Sequence, residues 1–353
     1  MASVSPPAPP RPGRHPDAMN RIRPLGPLQR LLRRPDLGAV LGVLVSWGLF
    51  ALVGGSSFST ADGAASYLAD AAGLGILAAT VALLMIAGQF DLSVGSMIGA
   101  AGMLLAILVV EFGVPGWLAV IVALLFGAGY GALNGWLVVR TKLPSFIVTL
   151  AGLFVLRGLT IALTRLITGR TQVGGVDDVD GGGGLVNVLF AARIGPFSAS
   201  VLWWLAITAV CAVVLSQTTF GNWLAATGGN EDAARNSGVP INRVKIVTFM
   251  LTGLAAALVG VIQVVEAGSA DTLRGQMKEF EAVIAVVIGG TLLTGGYGSV
   301  IGAALGALTF GIVRQGIFFT GADTDWFQVV LGVFLMVAVL VNSWLRTRAL
   351  KAR

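Results

Sequence analysis

The chain has one cysteine, Cys211, and one histidine, His15, among 353 residues. A single cysteine inside an apolar stretch excludes an intrachain disulfide and argues against redox chemistry. One histidine, set in a Pro/Arg-rich tail, leaves no ligand set for a His/Cys metal site. Charge is scarce too, at 11% of residues, where soluble domains carry about 25%. No polar segment is long enough to be a soluble catalytic domain, and no His, Cys or paired-carboxylate set is available for enzyme chemistry. The net charge of +6 sits at loops and termini, which reads as membrane topology rather than nucleic-acid binding.

Apolar sequence is what the chain has in abundance. Hydrophobic residues make up 56%, and mean hydropathy is +0.86. Ten apolar stretches run from Gly38 to Leu345: 38–53, 70–88, 93–111, 117–139, 145–165, 200–216, 244–266, 282–294, 299–319 and 327–345. A helix needs about 20 apolar residues to cross a hydrocarbon core about 30 Å thick. The fold class is therefore all-α: a polytopic helical membrane protein with about ten transmembrane segments. The stretch 282–294 is too short for a full crossing and is expected to be broken or re-entrant, which is tolerable only inside protein.

The domain organisation follows. Residues 1–37 hold nine of the 13 prolines and seven arginines, a composition expected to stay disordered. Residues 38–346 form the membrane domain, and 347–353 are a basic C-terminus. With both termini inside, Arg140/Lys142, Arg243/Lys245 and Arg346/Arg348 fall on the cytoplasmic side, as the positive-inside bias requires. The segments 55–69, 112–116, 166–199 and 267–281 are then external, the last two carrying Arg170, Arg193, Arg274 and Lys278 against the bias. The chain has 49 glycines. Ladders at spacing four, Gly95/Gly99, Gly127/Gly131/Gly135 and Gly298/Gly302/Gly306, let helices approach closely.

Several motifs interrupt the apolar pattern. Gly290 to Gly295 has the glycine spacing of a phosphate loop, but Gly296 stands where the lysine is required. The glycines instead predict a tight turn between helices. Asp177, Asp178 and Asp180 before Gly181 offer too few ligands for calcium and read as a solvated loop. Gly88 to Ser96 places Asp91 and Ser93 between two apolar runs. Either residue can cap the next helix; alternatively the break exposes backbone and hydroxyls to a polar path. Arg157 and Glu266 are placed to form an ion pair between spans. Asn134, Thr149, Gln263 and Gln315 are further polar groups within the spans, where such groups face protein or water.

On the inner side, Gly228-Gly229-Asn230-Glu231-Asp232-Ala233-Ala234-Arg235-Asn236-Ser237-Gly238 has a cap, acidic first residues and a glycine stop. It predicts a helix of under three turns, a docking knob for a soluble partner.

The segment Ala226 to Lys245 resembles the cytoplasmic signature of permeases from ABC importers for monosaccharides of the ribose, xylose and galactose type. The resemblance extends to Asp91–Ser96, Leu133–Gly135, Leu143–Leu150 with Arg157-Gly158, and Ile288–Gly302. It covers roughly residues 70–320. Gln89-Phe90 and Ala151 depart from it, where the family often has Gly-Ile and glycine. The resemblance implies a permease subunit moving a simple sugar across the inner membrane of a bacterium. It implies a second permease copy, a cytoplasmic ABC ATPase that uses ATP and Mg, and an extracytoplasmic sugar-binding protein. The chain itself would bind no cofactor.

Gly228, Gly229, Asn230, Glu231, Ala233, Ala234, Arg235, Ser237 and Gly238 would form the ATPase-coupling loop. Asp91, Ser93, Gly95, Ser96, Asn134, Phe146, Thr149, Thr291 and Thr294 are the candidates for the substrate path or helix break. Competing readings are a permease for branched-chain amino acids or nucleosides, and an ion-coupled secondary transporter using Asp91 or Glu266.

Overall fold

The computed structural model describes residues 36–176, 184–321, 323–330, 332, 333 and 336. Residues 1–35 of the tail, the Asp177–Gly183 loop, most of the stretch 327–345 and the basic C-terminus lie outside the described residues.

The described chain is helical. In order it forms α1 (Leu37–Val53), the one-turn α2 (Gly55–Phe58), α3 (Ala61–Ile86), α4 (Val94–Val110), α5 (Gly116–Thr141) and α6 (Ser145–Thr168). Strand β1 (Gln172–Gly174), α7 (Leu185–Phe190), β2 (Arg193–Ile194) and β3 (Phe197–Ser198) follow. Then come α8 (Ala199–Gln217), α9 (Thr219–Gly229), α10 (Glu231–Asn236), α11 (Ile241–Ala267), β4 (Ser269–Asp271), α12 (Lys278–Ile288) and α13 (Val300–Phe319). Six of them, α3, α5, α6, α8, α11 and α13, are long and apolar enough to cross a membrane. This is a polytopic helical membrane protein. Two strand ribbons are the only sheet among the described residues: β1 pairs antiparallel with β4, and β2 with β3.

Local chemistry sets the helix ends. The hydroxyls of Thr60, Ser198, Thr218 and Ser299 each accept a backbone N–H from the first turn that follows. Left-handed Gly169 and Gly268 close α6 and α11.

The core lies where α3 and α11 pack among α4, α5 and α13. Most of α3 and α11 is buried, whereas α5, α6 and α8 bury one face and expose apolar residues on the other. The α5 glycine ladder lies against α11: a methyl on Gly127 would overlap the Gly253 carbonyl, and one on Gly131 the Phe249 carbonyl. Backbone contact that close is how helices associate in a bilayer without large side chains.

Two expectations are corrected. The segment 267–281 is not simply an external loop. After β4 the chain turns back along α4, with the carbonyls of Thr272 and Arg274 at Gly99 and that of Gly275 at Gly95. Its charges have internal partners: Arg274 Nη1 donates to the Gln263 carbonyl at 2.6 Å, and Lys278 pairs with Glu281. Helix α12 then starts beside α4, with Glu279 buried and Met277 and Phe280 exposed, and its 11 residues span about 16 Å at 1.5 Å each. The second correction is Arg157, which faces Glu279 at 3.7 Å. Glu266 instead accepts a hydrogen bond from the Ser198 hydroxyl.

Candidate functional site

The chain between α3 and α4 leaves helix at Ala87 and resumes at Val94. Backbone groups freed there need partners where they are buried. Neighbouring helices supply them. Ser145 Oγ accepts the Phe90 N–H at 3.0 Å, and Thr149 Oγ1 accepts the Leu92 N–H at 3.1 Å. Asp91 Oδ1 accepts both the N–H (2.9 Å) and the hydroxyl (2.6 Å) of Ser93, while Asp91 Oδ2 accepts the Thr252 hydroxyl at 2.8 Å. Asn134 Nδ2 donates to Ser93 Oγ at 2.9 Å. Asp91, Ser93 and Asn134 are each 2% exposed and Thr149 is 0%. This is a closed network that ties the break to α5, α6 and α11.

Ser93 occupies the N-cap position of α4 but makes no side-chain capping bond; its hydroxyl is given to Asp91. The capping expectation is corrected to that extent. Ser96 Oγ donates to the Leu153 carbonyl at 3.0 Å, and Gly95 lies against the carboxylate of Glu279. Phe146 and Thr294 stand apart from the network. Phe146 is half exposed, and Thr294 is exposed on the turn after α12. Thr291 is buried in that turn, where its hydroxyl accepts the Ser299 N–H at 3.4 Å.

The second part of the site is a junction of glycines. Gly88 ends the α3 side of the break, Gly228 and Gly229 end α9, and Gly295 and Gly296 form the α12–α13 turn. The Gly296 N–H donates to the Ile86 carbonyl at 2.8 Å. A methyl on Gly228 would overlap that same carbonyl and the Gly296 amide. Gly88, Gly295 and Gly296 have φ of 75°, 79° and 77°, a region that side-chain-bearing residues seldom occupy. Helix α9 therefore presses backbone to backbone on both the break and the turn.

Helix α10 follows at once. Asn230 Oδ1 accepts the Ala233 N–H at 2.9 Å as its cap, and Gly238, with φ 83°, ends the segment. Glu231 bonds Lys245 at 2.8 Å and Arg235 at 3.1 Å, holding α10 to α11. Burial works against the Glu231 carboxylate, but its bonds to Lys245 and Arg235 outweigh that and hold it below the usual carboxylate range. The Ser237 hydroxyl donates to the Ala233 carbonyl. Ala234 is 4% exposed, whereas Asp232, Ala233, Arg235 and Asn236 face outward. Ala234 thus packs within its own chain. A cavity of about 940 Å³ opens beside α10, lined by Gln89, Phe90, Lys142, Phe146, Glu231 and Lys245 among others.

Reading the residues alone missed Ser145, Thr252, Lys245 and Glu279. A hydroxyl following Pro144, and charges on either side of a predicted short helix, were the available signals.

A capped, outward-facing short helix, a glycine junction behind it and a pinned helix break together form a linkage from surface to interior. The family model described as "Branched-chain amino acid transport system / permease component" matches residues 63–340. The chain belongs to this permease family. It is 31% identical to the xylose transport system permease protein XylH of Escherichia coli (strain K12), over 89% of this chain and 92% of the relative. It is 34% identical to the ribose import permease protein RbsC of the same strain, over 76% of this chain and 81% of the relative. It is 32% identical to that strain's inner membrane ABC transporter permease protein YjfF, over 89% and 93%. No solved structure matches the chain.

Proposed function

We propose that the chain is the membrane permease subunit of an ABC importer that moves a simple sugar into the cell. One observation carries the solute class: its xylose and ribose relatives cover 89% and 76% of this chain. The family description mentions branched-chain amino acids, yet these relatives are named for sugars. The chain would bind no cofactor, leaving ATP and Mg to a partner ATPase seated on the outward face of α10. A second copy of the chain and an external sugar-binding protein complete the assembly.

Ten membrane segments with both termini cytoplasmic, in a bacterial inner membrane, fit the positive-inside bias. A cysteine placed at Gly113 should then react with an impermeant reagent from outside, and one at Asp232 should not. The reverse pattern would overturn this orientation. The ion-coupled alternative finds little support: Asp91 spends its carboxylate on internal hydrogen bonds, and Glu266 is exposed. Deleting the gene should abolish uptake of one monosaccharide and leave leucine uptake intact. Loss of leucine uptake alone would favour the amino-acid reading.

A further inference from the structure

Two charged side chains in the bundle interior take no part in the Asp91 network. Arg157 on α6 and Glu279 on α12 face each other, with Nη2 3.7 Å from Oε1 and side chains 21% and 3% exposed. At 1.5 Å per residue, Arg157 lies about 18 Å along α6 from Ser145, near the middle of this 24-residue, membrane-spanning helix. Charges at that depth are costly and mark function more often than packing.

The geometry is not that of a structural clip. An arginine–carboxylate pair that only joins helices gains most from short, bidentate hydrogen bonds. Here the separation exceeds hydrogen-bonding distance, and Arg157 Nη2 and Glu279 Oε2, both buried, have no hydrogen-bond partner. Gly95 makes the space: any side chain there would overlap the Glu279 carboxylate. The carboxylate rides on a helix that begins beside Gly95 of α4, behind left-handed Gly275 (φ 89°) and Met277 (φ 67°). Interrupted helices that start near mid-membrane are where transporters place substrate contacts.

We propose that Arg157 and Glu279 are the sugar-contacting pair of the translocation path. In this structure they face one another. During transport they part and hydrogen-bond the hydroxyls of the passing sugar. A guanidinium only donates and a carboxylate only accepts, whereas a sugar hydroxyl does both. A neutral polyhydroxylated solute can therefore satisfy both groups at once. This assignment rests on the sugar-importer reading above.

The test uses the permease reconstituted with its ATPase and binding protein in proteoliposomes, counting sugar imported and ATP hydrolysed together. Glu279→Gln and Arg157→Gln should each lower sugar moved per ATP by about tenfold or more, the loss of a charged hydrogen bond. Should either variant fail to assemble, Glu279→Asp and Arg157→Lys, which keep the charges, should also lower the ratio. The reversed pair, Arg157→Glu with Glu279→Arg, rebuilds a link between α6 and α12 and should stay low. An unchanged ratio in the single variants, or full recovery in the reversed pair, would overturn the proposal. If the unaltered complex imports no monosaccharide with ATP, the importer reading itself fails instead.

Discussion

The carboxylate of Asp91 accepts a hydrogen bond from the hydroxyl of Thr252, 161 residues further along the chain, at 2.8 Å. That bond fastens the interruption between α3 and α4 to α11, the helix that begins just after α10. Thr252→Val removes the donor and leaves Oδ2 buried without it, at a cost of about 1–3 kcal/mol. The purified variant should melt several degrees below the parent and import more slowly. Equal melting temperatures would show that the bond carries no stability.

Glycines at the junction predict a contrast between two alanine substitutions. Gly228→Ala drives a methyl into the Ile86 carbonyl and the Gly296 amide, whereas a methyl on Gly129 meets nothing within 4 Å. Uptake should fall about tenfold or more in the first, as for other tight backbone contacts, and stay near the parent level in the second. Normal uptake by Gly228→Ala would mean that the junction yields freely and transmits nothing.

The two alanines of α10 should behave differently as well. Ala233 faces outward and Ala234 packs inward. Ala233→Arg should weaken capture of the partner ATPase while leaving the permease's own melting temperature unchanged. Ala234→Arg buries an unpaired charge within the chain itself and should lower that melting temperature. If Ala233→Arg binds the ATPase as tightly as the parent, α10 is not the docking element.

Much of this was legible in the residues. The apolar stretches and the Asn230-to-Gly238 start-and-stop pattern are local signals, and α10 forms where they point. The path of 272–281 was not legible. Arg274 and Lys278 look solvent-facing until the Gln263 carbonyl and Glu281 are brought to them by tertiary structure. Thr252 was equally silent, because a lone hydroxyl in an apolar helix can bond its own backbone, as it also does to the Phe249 carbonyl. The inward packing of Ala234 was silent too, because small residues suit an internal contact as well as an external one.

Glu231 predicts a pH dependence. Its carboxyl is held below the usual range in the folded protein, so its contribution is present above the unfolded value of about 4.3 and fades as pH falls through the folded value. Glu231→Gln should lower the melting temperature slightly at pH 7, since the side chain is 41% exposed and screened by solvent. The difference should shrink as pH falls below about 4. A difference that grows on acidification would contradict the pairing with Lys245.

The central claim is ATP-driven sugar import, and one measurement addresses it most directly. Proteoliposomes holding the permease and its ATPase are given binding protein loaded with radiolabelled monosaccharide, with ATP present or absent and ion gradients collapsed. Accumulation that requires ATP and survives the loss of gradients is the predicted result. Accumulation that persists without ATP and vanishes when the proton or sodium gradient is dissipated would contradict it.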